Sequence, residues 1–140
     1  MNTFNYNINI QTSPEKLWNA LIKPEYTSRY WIGITLDSDW QVGSPVTMSQ
    51  PMQGKNLELP AKVTNSDPPA LLSYKFDNEM FGTFHFEIKP LSDSETRLIV
   101  THEGYDQSLH DMFVDRWYGH IGSLKTLMET GSPIDHSRWK

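Results

Sequence analysis

Cysteine is missing from all 140 residues. The chain therefore has no thiol nucleophile, no thiolate metal ligand and no disulfide, which fits a reducing compartment such as the cytoplasm. Long hydrophobic runs are missing too. Apolar stretches end after three or four residues, far short of the ~20 that a membrane-spanning helix needs, and no basic start with an apolar run marks a leader. No membrane is expected. Positive charge is scarce, with 12 Lys and Arg against 17 Asp and Glu and a net charge of -5. A nucleic-acid partner is not expected, because binding phosphate backbones requires a basic face. There is no Gly-x-Ser-x-Gly elbow and no glycine-rich phosphate loop, and His85, His102, His110, His120 and His136 lack a ligand spacing, so neither a metal nor a cofactor is expected.

What the chain has in quantity is aromatic side chains. Five Trp, 6 Tyr, 6 Phe and 6 Met sit in a sequence that is only 37% hydrophobic. The length suits one domain, assigned to residues 1–132 with a short tail at 133–140.

Phe4, Tyr6, Ile8 and Ile10 alternate with three Asn, which predicts a strand with one wet face. Thr12-Ser13-Pro14-Glu15 then opens a helix, with Thr12 and Glu15 spaced as a capping box and Pro14 in the first turn. Pro24 should end that helix, and a second short one should follow through Glu25–Arg29. From Ile34 to Thr101 a meander of antiparallel strands is expected at 34–36, 46–50, 57–65, 71–76, 83–89 and 96–102, joined by short turns. Leu72, Tyr74 and Phe76 share one face, as do Phe84, Phe86 and Ile88, and Leu98, Val100 and His102. Phe113, Trp117, Ile121, Leu124 and Met128 recur every three or four residues, which predicts a long closing helix ended by Gly131 and Pro133. Asp135–Lys140 should fray.

This order of elements resembles the helix-grip fold of the START-like superfamily, which includes the birch-pollen allergen and polyketide cyclases. Several phrases resemble a narrower family, proteins like the C-terminal domain of the heat-shock-protein-90 ATPase activator. They are Ser13-Pro14-Glu15-Lys16-Leu17-Trp18-Asn19-Ala20-Leu21, Tyr30-Trp31, Val42-Gly43, Asp67-Pro68-Pro69, Thr101-His102-Glu103-Gly104-Tyr105, Trp117 with Gly122-Ser123-Leu124-Lys125, and Glu129-Thr130-Gly131. The resemblance implies an α+β fold: a curved antiparallel sheet of six or seven strands around a long C-terminal helix, with two short helices after strand 1. It also implies a cavity between sheet and helix.

The leading expectation is non-catalytic binding of a small hydrophobic or aromatic molecule there, with Trp31, Met48, Tyr74, Phe76, Phe84, Phe86, His102, Trp117 and Ile121 as candidate ligand-binding residues. One alternative is a chaperone-accessory module with a protein partner, which would show an apolar patch near Trp40, Met52 or Tyr118. Another is a cyclase- or dehydratase-like enzyme, with His102 as acid or base and Tyr74 or Tyr118 orienting the substrate. The plainer role for His102 is a core histidine hydrogen-bonded to backbone or to Tyr74. His85, out of phase with Phe84 and Phe86, should face solvent, and Arg97 with Glu103 should form a cross-strand or helix-capping pair.

Overall fold

A computed structural model describes residues 2–31, 33–52 and 54–131, with Met52 described in its backbone only. The expected Pro133 stop, the tail and His136 lie outside the described residues, as does the Met52 side chain.

Strand β1 (Asn2–Ile10) leads into helices α1 (Pro14–Ile22) and α2 (Pro24–Tyr30). The strands β2 (Thr35–Asp37), β3 (Pro45–Met52), β4 (Lys55–Asp67), β5 (Leu71–Phe76), β6 (Thr83–Pro90) and β7 (Thr96–Tyr105) follow, then a short turn of helix and α3 (His110–Thr130). All seven strands form one antiparallel sheet in the order β1-β7-β6-β5-β4-β3-β2. The first strand is thus held against the last, and the rest is a simple meander. This is the helix-grip architecture, with its long helix and the two short ones after β1.

Register explains how one face becomes the core. Directly opposed residues share a face, and Phe4, His102, Phe84, Tyr74 and Val63 stand opposite one another in turn across five strands. A second row runs Tyr6, Val100, Phe86 and Leu72. On the side of Val63 away from the register shift between Val63 and Asn65, the row Phe76, Ala61, Val46 carries the same face outward. The alternation expected for β1 holds: Phe4 and Ile10 are buried, while Asn5, Asn7 and Asn9 are exposed.

The helices differ in detail from the sequence reading. Ser13, not Thr12, caps α1, its hydroxyl accepting from the Lys16 amide at 3.3 Å. The helix starts at Pro14, which makes Ser13 the capping position; Thr12, one residue earlier, is buried, and its carbonyl accepts from the Thr96 hydroxyl at 2.7 Å. On α3 the buried stripe is Trp117, His120, Ile121, Ser123, Leu124 and Leu127, and Phe113 and Met128 at its ends are only half-buried. Gly131 ends the helix in the left-handed conformation, as expected.

Two contacts tie α3 to the start of the chain. Lys125 Nζ donates to the Asn9 carbonyl at 2.6 Å and pairs with Glu129 at 2.9 Å. The Gln11 amide in turn donates to Glu129 at 2.9 Å, which holds that carboxyl below its ordinary range. Near the end of α2, Arg29 donates to the Gly131 carbonyl at 3.0 Å. These contacts fix the angle at which α3 lies over the sheet. No described helix is long and apolar enough to cross a membrane.

Candidate functional site

The aromatic core is centred on Phe84. Its ring lies 4.9 Å from both Phe76 and Trp117, 4.6 Å from His102 and 5.5 Å from Tyr74, mostly edge to face, an arrangement that aligns ring edges with the opposing π faces. Trp31, at the C-terminus of α2, packs at 5.9 Å from Trp117 and 6.3 Å from Phe84. The packing stops on one side. Between the first turns of α3 and strands β3 and β4 lies a cavity of about 200 Å³.

Its floor is Phe76, Phe84 and Trp117, and its walls are Trp31, Ile34, Met48, Leu57, Leu59, Phe81, Met112 and Phe113. The polar lining is Gln50, Arg116 and His120. Five of these residues also line an outer groove of about 800 Å³: Ile34, Gln50, Met112, Arg116 and His120. The cavity therefore opens onto the surface through a neck that carries its polar groups.

Of the residues expected to meet a ligand, Trp31, Met48, Phe76, Phe84 and Trp117 line this cavity. Tyr74, Phe86, His102 and Ile121 do not. All four are essentially inaccessible, at 0%, 1%, 0% and 1% exposure, because they belong to the layer beneath, where β5, β6 and β7 pack directly on α3. Leu57 and Leu59 were not among the expected residues; their alternation with Ala61 and Val63 places them on the core face, opposite Gln50 and Met48. Nor were Phe81, Met112 and Arg116, which sit in a loop and in the exposed first turns of α3.

His102 is fully engaged. The Trp117 indole Nε1–H, which can only donate, points to His102 Nδ1 at 3.0 Å. The ring proton must therefore sit on Nε2, which donates to the Phe81 carbonyl at 2.7 Å. Tyr74 takes no part. Burial pushes the imidazole down from 6.5 to about 4, against a smaller upward effect from the Phe81 hydrogen bond. A neutral histidine with both nitrogens committed fastens the 77–82 loop and α3 to β7, and it has no lone pair left for a substrate.

The loop reaches His102 because of Gly82. Its φ is +68°, and a Cβ there would stand 2.1 Å from the Glu103 carbonyl oxygen. Only glycine allows the backbones to approach so closely. On the opposite face of the sheet, His85 is half-buried rather than solvent-facing: Nδ1 is 2.7 Å from the Ser73 hydroxyl and Nε2 is 3.2 Å from Glu103. Glu103 thus faces His85, opposite Thr83 on the neighbouring strand. It does not pair with Arg97, which lies six residues along β7 and donates to Asn9 Oδ1 at 3.0 Å.

Of the three residues expected to mark a surface patch, the Met52 side chain lies outside the described residues. Trp40 is half-buried, with its ring 5.9 Å from Tyr74. Tyr118 is 53% exposed but packs edge-on against Phe4 and Tyr6 at 5.7 and 4.9 Å. Among the described residues no group of three or more His, Asp or Glu is placed to hold a metal ion.

The family model for activator of Hsp90 ATPase homolog 1-like protein matches residues 11–129. The chain belongs to this family. No curated protein matches the sequence. The fold of this Hsp90-activator-like chain is shared with the Aha1 dimer from Colwellia psychrerythraea, at a TM-score of 0.73 and 23% identity over 94% of this chain and 98% of that one. An Hsp90 activator from Plasmodium falciparum superposes at a TM-score of 0.71 with 17% identity, covering 89% and 94%. A conserved protein of unknown function from Enterococcus faecalis gives 0.76 with 15% identity, covering 96% and 75%.

Proposed function

We propose that this activator-like protein is a non-catalytic binding module that takes a small hydrophobic or aromatic molecule into the cavity beneath α3. The observation that carries the reading is the interruption of a densely packed aromatic core by about 200 Å³ of apolar-lined space with a surface opening. An engineered apolar cavity of ~150 Å³ holds benzene, so one ring with a short substituent is the right scale. Left dry, such a void would forfeit about 5 kcal/mol at ~24 cal/mol per Å³, a loss that an occupant would recover. Phenylpropanol and indole, titrated while the tryptophan fluorescence is followed, test the reading. Saturable quenching with one-to-one stoichiometry supports it, and no saturable change overturns it.

A second reading has its own support. Leu57 and Met112 stand 43% and 38% exposed at the cavity, and the chain belongs to a family named for an Hsp90 ATPase activator. In this reading the protein is a chaperone-accessory module, and an apolar side chain of a partner enters the cavity. Binding of purified Hsp90 that weakens when Leu57 and Met112 are both changed to Ser would support it. The committed nitrogens of His102 favour either binding role over acid–base catalysis.

A further inference from the structure

Arg116 precedes Trp117 on α3, so it projects from the exposed flank of the helix where the cavity meets the outer groove, and it lines both. The other described arginines are committed elsewhere in the fold, Arg29 to Gly131 and Arg97 to Asn9. Among the described residues Arg116 makes no ion pair or hydrogen bond, and neither does the Gln50 side chain across the neck. Of the two acidic residues in the first turns of α3, Asp111 lines neither space, and Asp115 lines the outer groove and not the cavity. A guanidinium without a partner, at the neck of an apolar cavity with no carboxylate in its lining, is arranged for an anionic head group on an apolar tail.

We infer that the ligand is a small amphiphilic carboxylic acid, with its ring or short alkyl tail against Phe84, Phe113 and Trp117 and its carboxylate at Arg116 and Gln50. This rests on the cavity-binding reading above and adds the ligand's chemical class to it. A planar guanidinium offers two parallel N–H donors that match a carboxylate, a stronger pairing than a neutral hydroxyl can make. A cationic head group would be repelled at the same place. The protein's overall charge of -5 opposes an anion only weakly, because at physiological salt charges beyond roughly 8 Å are largely screened.

Calorimetric titration at pH 7 with phenylpropionate and with phenylpropanol, against the native chain and Arg116→Met, tests the inference. Met keeps an apolar stem and removes the charge. The native chain should bind the acid about tenfold more tightly than the alcohol, and Arg116→Met should weaken the acid until that difference is gone. Added salt should weaken only the acid. Equal affinities for acid and alcohol in the native chain, or an acid affinity unchanged by Arg116→Met, would overturn the carboxylate assignment while leaving the cavity reading intact. If neither compound binds, both fall together.

Discussion

The indole Nε1–H of Trp117 donates to Nδ1 of His102 across 3.0 Å, joining the long helix to the last strand in the middle of the core. The same imidazole holds the Phe81 carbonyl with its other nitrogen. One neutral histidine thus sets the positions of Trp117 and Phe81, two of the side chains that line the cavity. His102 shapes the cavity without lining it.

His102→Leu should therefore destabilise the fold strongly. It strands the Trp117 N–H and the Phe81 carbonyl in a buried setting, each at about 1–3 kcal/mol. Urea denaturation should show a loss of about 2–5 kcal/mol. A loss below 1 kcal/mol would mean that the two partners find water or each other.

Acid should act through the same group. The His102 imidazole ionises near 6.5 in the unfolded chain and near 4 in the folded one, so between those values the unfolded state binds more protons. Stability is then full above pH 6.5 and falls with pH through that window, by up to about 3 kcal/mol. His102→Gln should flatten the slope between pH 5 and 6.5 relative to the native chain. Parallel pH profiles for the two proteins would contradict the assignment.

Gly82→Ala should be costly although the residue lies in a loop. The new methyl would stand 2.1 Å from the Glu103 carbonyl, at a φ of +68°. Positive φ alone costs a non-glycine residue about 1–3 kcal/mol, and the clash adds to it. A melting temperature within about 2 °C of native would show that the loop can move away from β7 at little cost.

Much of this could be read in the sequence, and the exceptions have physical causes. Alternation in β5, β6 and β7 is clear on the face that packs against α3, so the core positions of Tyr74, Phe84, Phe86 and His102 follow directly. The same alternation cannot separate a ring that lines a cavity from one packed beneath it. Phe84 and Phe86 differ by one pleat, yet only Phe84 meets the cavity. Phe81 and Gly82 were invisible because a loop has no period, and their placement depends on a hydrogen bond to a residue 21 positions away. Thr12 and Ser13 both carry hydroxyls suited to a helix cap, and Ser13 takes the role because it directly precedes Pro14, the first helical residue.

Filling the cavity should separate binding from folding. Leu59 lines it but is only half-buried, so Leu59→Trp can place an indole in the space without rebuilding the core. Probe binding should drop at least about tenfold, while stability changes by less than about 1.5 kcal/mol. Undiminished binding would place the ligand elsewhere.

The central claim is that a small apolar molecule enters the space between α3 and the sheet. Trp31 and Trp117 line that space, whereas Trp18, on α1, does not. The most direct measurement is NMR of the indole N–H resonances during titration with phenylpropanol. Saturable shifts are expected at Trp31 and Trp117 with Trp18 unmoved; shifts confined to Trp18, or none at any indole, would contradict binding in this cavity.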